Sequence, residues 1–259
     1  MAVDKRWIWL IVLAAYAFPV LKPMGIPIPV SAETLKAYNV IQDLPAGSVV
    51  GVDCSLFVRY FAELGAPSVA VTRHLFMKNL KIVVWSIDTP EGPSFWEAMM
   101  KIIEPEKMGK KYGVDWVNLG FVAGMETAQA SIMKDIHGSL PRDFFGTSIS
   151  DLPMMKNIRS SKDLALVLTL MSTQPDDRVR QYSVAGGQPF VTVTGMSWVA
   201  GMKPFIASGH VRGIVGGIQG GAEYEMLTKS PGKGLLGTDV MTILCFLMLA
   251  LVIVSNLAY

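Results

Sequence analysis

The feature that most constrains this chain is its last segment. Val240–Tyr259, VMTILCFLMLALVIVSNLAY, holds no charged side chain over about twenty residues, the length an α-helix needs to cross roughly 30 Å of hydrocarbon. A buried core helix is the alternative reading. The run has no polar stripe, however, and apolarity on every side favours a membrane span.

The other end carries a second apolar run. Trp7–Val20 is uncharged and is preceded by Lys5 and Arg6. With Leu21 and Met24–Val30 it is long enough to cross a bilayer, but Pro19, Pro23, Pro27 and Pro29 rule out a regular helix in its later part. Val30-Ser31-Ala32 also resembles the cleavage site of a secretory signal. A retained signal-anchor is the favoured reading. The expected organisation is an N-terminal transmembrane segment with a proline-rich exit over 1–30, an α/β domain over 31–234, and a C-terminal transmembrane helix over 235–259. The flanking charges disagree about sidedness. Lys5 and Arg6 favour a cytoplasmic N-terminus and an extracytoplasmic domain, whereas Lys22, Lys229 and Lys233 pull the other way. A long intervening loop escapes the charge rule, so the N-terminal pair weighs more.

Composition agrees with membrane attachment. Hydrophobic residues make up 51% of the chain and charged residues 17%, below the ~25% usual in soluble domains. The 23 basic and 21 acidic residues nearly cancel, and no basic run points to nucleic acid. Cys54 is alone in the domain and Cys245 lies in the apolar tail, so neither an intradomain disulfide nor a metal-type cysteine spacing is available.

Between the apolar ends, short β-branched runs alternate with amphipathic ones. Ser48–Val52, Lys81–Ile87, Asp115–Leu119, Leu164–Met171 and Phe190–Thr194 read as strands covered on both faces. Leu56–Leu64 with Val69–Leu75, Ser94–Ile103, Met125–Ile136 and Asp176–Ser183 read as helices. This alternation predicts an α/β fold: a Rossmann-like, three-layer domain on a mostly parallel sheet.

In such a sheet, ligands sit at the carboxyl ends of the strands. The residues expected there are Asp53, Ser55, Asp88, Gly120, Gly124, Glu126 and Thr194. Asp53 and Asp88 at neighbouring strand tips are a possible carboxylate pair for acid–base work or a cation; helix capping explains them as well. Cys54 with His74, His137 or His210 would make a thiol–imidazole pair if the fold joined them. No nucleophile elbow, phosphate-binding loop or zinc-protease motif is present, and Gly120-x-x-x-Gly124 is only a fragment of a dinucleotide fingerprint. No cofactor is predicted.

The segment Ser208–Leu227 is unusual. On a helix, Gly213, Gly216, Gly217, Gly220 and Gly221 would form one side-chain-free face, at a cost of ~0.8–1.0 kcal/mol per glycine relative to alanine. Packing against the sheet, a subunit interface and a ligand loop are the three readings of it.

Several pieces resemble a group of uncharacterised prokaryotic membrane proteins with two spans flanking an α/β domain. They are Met24-Gly25-Ile26-Pro27-Ile28, Leu44-Pro45-Ala46-Gly47-Ser48, Tyr112–Gly120, Asp151-Leu152-Pro153-Met154-Met155 and Gly217–Glu225. The resemblance covers most of the chain. It implies the two-span architecture and transfers no catalytic residue. The expectation is a membrane-anchored scaffold or structural subunit of an oligomeric assembly, with the lipid bilayer and other membrane proteins or further copies of the chain as partners. Its rival is a membrane-tethered ligand-binding or hydrolase-like domain.

Overall fold

The computed structural model describes residues 5–22, 24–173 and 176–257; Pro23 and the end of the apolar tail, Ala258 and Tyr259, lie outside them. Six strands form a single all-parallel sheet: β1 (Val49–Ser55), β2 (Lys81–Ser86), β3 (Trp116–Phe121), β4 (Leu166–Met171), β5 (Phe190–Thr194) and β6 (Gly213–Gly216). Their order is β3-β2-β1-β4-β5-β6, the doubly wound order with its switch point between β1 and β4.

Strand side chains alternate between two cores, as a period of two requires. Val50, Val52, Ile82, Val84, Leu166, Leu168, Val191 and Val193 face one core. It is completed by the helices α2 (Ala32–Gln42), α3 (Phe61–Met77), α4 (Glu91–Ile103) and α9 (Gly217–Leu227). Val83, Trp85, Val117, Val167, Phe190 and Ile214 face the other. That side is covered by α5 (Met125–Lys134), the short α6 (Ile136–Ser139), a π-helical run Val179–Ala185 that continues the single turn α7 (Asp176–Arg178), and α8 (Met196–Ala207). Burial on both faces is why these strands read as nearly continuous apolar runs.

Five strands fall where the apolar runs predict them, and the two predicted pieces around Pro67 merge into α3. The glycine segment differs from its expectation. It is not one helix: Gly213 and Gly216 lie on β6, while Gly217, at φ +51°, opens α9, which also holds Gly220 and Gly221. Each serves a close approach inside the chain. A Cβ on Gly213 would stand 2.2 Å from the Ala37 nitrogen on α2, and one on Gly221 would stand 2.9 Å from the Pro67 nitrogen on α3. Pro67 has no N–H to lose there, which suits a backbone-to-backbone contact.

At the termini, α1 (Lys5–Leu21) packs along α10 (Lys233–Leu257). Among the described residues, α10 is the one helix long and apolar enough to cross a membrane, whereas the apolar Arg6–Leu21 is shorter. The two expected spans therefore reduce, by length and composition, to one at the C-terminus. In the proline-rich exit, residues 24–30 form neither helix nor strand.

Candidate functional site

The carboxyl end of β1 carries Asp53 and Ser55, both buried. Asp53 shares its face of the sheet with Trp85, and the mid-strand Gly51 leaves room for that indole: a Cβ there would meet the Trp85 ring at 2.5 Å. From across the switch point, α7 and the π-helical run bring Arg178 and Tyr182 onto the same carboxylate. Arg178 Nε donates to Asp53 Oδ2 at 3.2 Å, and the Tyr182 hydroxyl donates to the same oxygen at 2.9 Å. Ser55 Oγ donates to Asp53 Oδ1 at 2.5 Å, and Trp85 Nε1 donates to the Tyr182 oxygen at 3.2 Å. The guanidinium also meets Asp88 Oδ2 at 2.6 Å and the Asp177 carboxylate, to which Gln129 Nε2 donates at 3.3 Å.

The electrostatics follow from burial. Desolvation raises the Asp53 pKa, with Arg178 and the Ser55 hydrogen bond opposing it. Burial also works against the charge on Arg178, yet Asp53, Asp88 and Asp177 outweigh it and raise its pKa above the ordinary arginine value. Tyr182 is pushed well up by burial and by the Asp53 charge. The crevice of the doubly wound sheet is thus filled by an arginine only 2% exposed, whose donors are directed at three carboxylates.

Of the seven residues expected along this edge, Asp53, Ser55 and Asp88 come together. Glu126 is exposed and pairs with Arg180 at 2.6 Å. The Thr194 hydroxyl donates to the Thr173 carbonyl. Gly120, at φ +86°, turns the end of β3 beside Phe144, and Gly124 opens α5. The thiol–imidazole alternative is not formed. Cys54 Sγ donates to the Gly92 carbonyl, His74 sits between Tyr224 and Gln42, and His137 faces the carbonyls of Met155 and Ile158. Among the described residues no group of three or more His, Cys, Asp or Glu is arranged to hold a metal ion. Sequence reasoning missed Arg178 and Tyr182; Arg178 follows Asp176-Asp177, which reads only as the first turn of a helix.

A second polar arrangement lies where the terminal helices meet the domain. The buried Asp239 of α10 accepts from the backbone N–H groups of Met24, Gly25 and Ile26, each at 2.8 Å. Glu225 of α9 accepts from Gly232, Gly234 and Leu235 at 2.8–3.0 Å, which caps the first turn of α10 with negative charge. Glu223, two residues earlier on α9, accepts from both the backbone N–H and the hydroxyl of Ser31. Sequence reasoning did not single out Asp239.

The fold and these two sites define a three-layer α/β domain with a doubly wound parallel sheet, joined to an apolar helical pair. No family model, curated protein or solved structure matches the chain.

Proposed function

We propose that this chain is a membrane-anchored structural subunit, a scaffold within an oligomeric membrane assembly. In this reading α1 and α10 together form a two-span anchor, and the α/β domain is held against it in one orientation. The observation that carries the proposal is the junction of Asp239, Glu225 and Glu223. Three buried carboxylates take up backbone N–H groups from the exit of α1, the start of α2 and the start of α10. Buried charge-to-amide bonds are costly to leave unmade, so the junction fixes the domain relative to the helices. A tethered enzyme needs only a linker; a part that sets geometry for its neighbours needs a fixed joint. The filled crevice at Arg178 supports the same reading, because the place where a doubly wound sheet receives ligands is occupied by side chains. The Lys5–Arg6 pair favours a domain outside the cytoplasm.

The test is the mass of the full chain extracted in a mild detergent, together with cross-linking in intact membranes. A discrete assembly well above the 28.2 kDa of one chain is expected. A strict monomer that forms no cross-links removes the proposal.

One observation favours the ligand-binding alternative. Asp88 Oδ1 and Gln129 Oε1 are buried without a hydrogen-bond partner among the described residues, and both border the Arg178 cluster. A ligand that reaches this edge would find them as open acceptors. Protection of the domain from heat by a small polar ligand, lost in Asp88→Asn, would establish it.

A further inference from the structure

The path of α10 sets how far the domain stands from the bilayer. β6 passes directly into α9 at Gly216–Gly217, so α9 begins at the carboxyl edge of the sheet and runs back along it. α10 then returns antiparallel to α9: a Cβ on Gly234 would meet Ala222, and one on Gly237 would stand 2.8 Å from Ile218 Cγ2. Gly237 is therefore level with the end of β6. Asp239, the last charged residue of the helix, lies half a turn further on. From Val240 to Leu257 the helix rises roughly 27 Å, and the hydrocarbon layer is ~30 Å thick. The uncharged stretch begins directly after Asp239, so α10 has no charged turn beyond that residue to lift the domain away from the headgroups.

The same edge carries exposed apolar side chains at three separate places. Val58 follows β1, Phe121 ends β3 with Met125 opening α5, and Met196 opens α8 after β5; all four are between 37% and 53% exposed. Val58 sits among Phe57, Arg59 and Tyr60, and the Arg59 guanidinium lies 4.5 Å from the Phe57 ring centre and 5.0 Å from that of Tyr60. Aromatic and arginine side chains of this kind are favoured at the boundary between headgroups and acyl chains. Glu91, Asp88 and Asp177 lie on the same side of the sheet, so attraction to anionic lipid is not the driving force; apolar burial is.

We infer that the carboxyl edge of the sheet docks on the bilayer surface, with Val58, Met125 and Met196 at the interfacial zone. This rests on α10 spanning the membrane. It also places the Arg178 cluster next to the headgroups, away from bulk solvent.

The full chain in a Cys245→Ser background, with Cys54 buried, is labelled at one new cysteine at a time and reconstituted into phosphatidylcholine vesicles. The positions are Val58→Cys, Met125→Cys, Met196→Cys, Lys107→Cys at the far, amino edge, and Leu249→Cys within α10. Each carries an environment-sensitive fluorophore read against lipid bearing a nitroxide near the headgroup or deep in the acyl chain. The deep quencher is expected to act on position 249. The shallow quencher is expected to dim positions 58, 125 and 196 at least about two-fold more than position 107. Quenching at 249 with equal, weak quenching at all four domain positions overturns the docking and leaves the anchor standing. No quenching at 249 overturns both.

Discussion

Replacing Arg178 by methionine keeps most of its volume and removes the cation that Asp53, Asp88 and Asp177 share. Asp53 would then lie fully buried with hydrogen bonds from Ser55 and Tyr182 and no opposing charge. Breaking a buried ion pair from one side costs about 3–5 kcal/mol. The two surviving hydroxyl donors place this case at the lower end, ~3 kcal/mol, which for a domain of this size lowers Tm by roughly 6–12 °C. Loss of the cation also removes what opposes the raised pKa of Asp53. The penalty belongs to the ionised carboxylate, so the deficit shrinks as pH falls through the raised pKa and is largest above it. The assay is thermal exposure of the buried Cys54 thiol in a Cys245→Ser background, followed by a maleimide dye across a pH series. The double variant Asp53→Asn with Arg178→Met should recover much of the loss, because the fully buried charge is then gone and the remaining carboxylates, Asp88 and Asp177, are partly exposed to water. If Arg178→Met melts with the parent chain, or if Asp53→Asn fails to rescue it, the cluster is not holding the crevice together.

Other features give sharper single readouts. His74 is buried with its pKa lowered to about 4 by desolvation, with a smaller push from Lys78; its Nε2 faces Gln42 Oε1 at 2.9 Å and its Nδ1 the Tyr224 hydroxyl at 2.8 Å. A lowered histidine pKa gives stability that is full above about pH 6.5 and declines as pH falls towards 4, by up to ~3 kcal/mol; denaturant melts of His74→Gln should lack that slope. Gly213→Val drives a side chain into the Ala37 backbone, and overpacking at such a site costs about 1–3 kcal/mol or more. A normal melting profile for that variant would refute the close crossing of α2 and β6. Asp239→Ala leaves three backbone N–H groups without their acceptor, and hydrogen exchange should rise at Met24–Ile26 while the β-sheet amides stay protected.

The sheet was legible because its strands are buried on both faces. Val49–Val52 and Ile82–Val84 are unbroken runs of small or branched apolar residues, the pattern of strands covered on both faces. β6 was not legible. Gly213–Gly216 has only Ile214 and Val215 to show a strand, and its glycines are there for what they omit, a Cβ that would strike α2. Strand tips gave Asp53, Ser55 and Asp88. Their partner did not follow, because Arg178 is 125 residues from Asp53 and nothing local to Asp176-Asp177-Arg178 reports which carboxylates the guanidinium will meet. Asp239 was hidden in a different way: it stands just ahead of the uncharged run, and its partners are the amides of a segment more than 200 residues earlier.

The form of the junction constrains what the joint can do. Its carboxylates bond the backbone amides of Met24, Gly25, Ile26, Gly232, Gly234 and Leu235. Backbone amides are present whatever the linker side chains are, so recognition here depends on where the chain passes and hardly on what it is made of. Five of those six positions are glycine or follow one, and Pro27 and Pro29 stiffen the path between Ile26 and the Ser31 cap of α2. Such a joint tolerates substitution and resists change in length. That combination is expected where the angle between an anchor and its domain matters, and it is unnecessary where a domain needs only to be kept near a membrane.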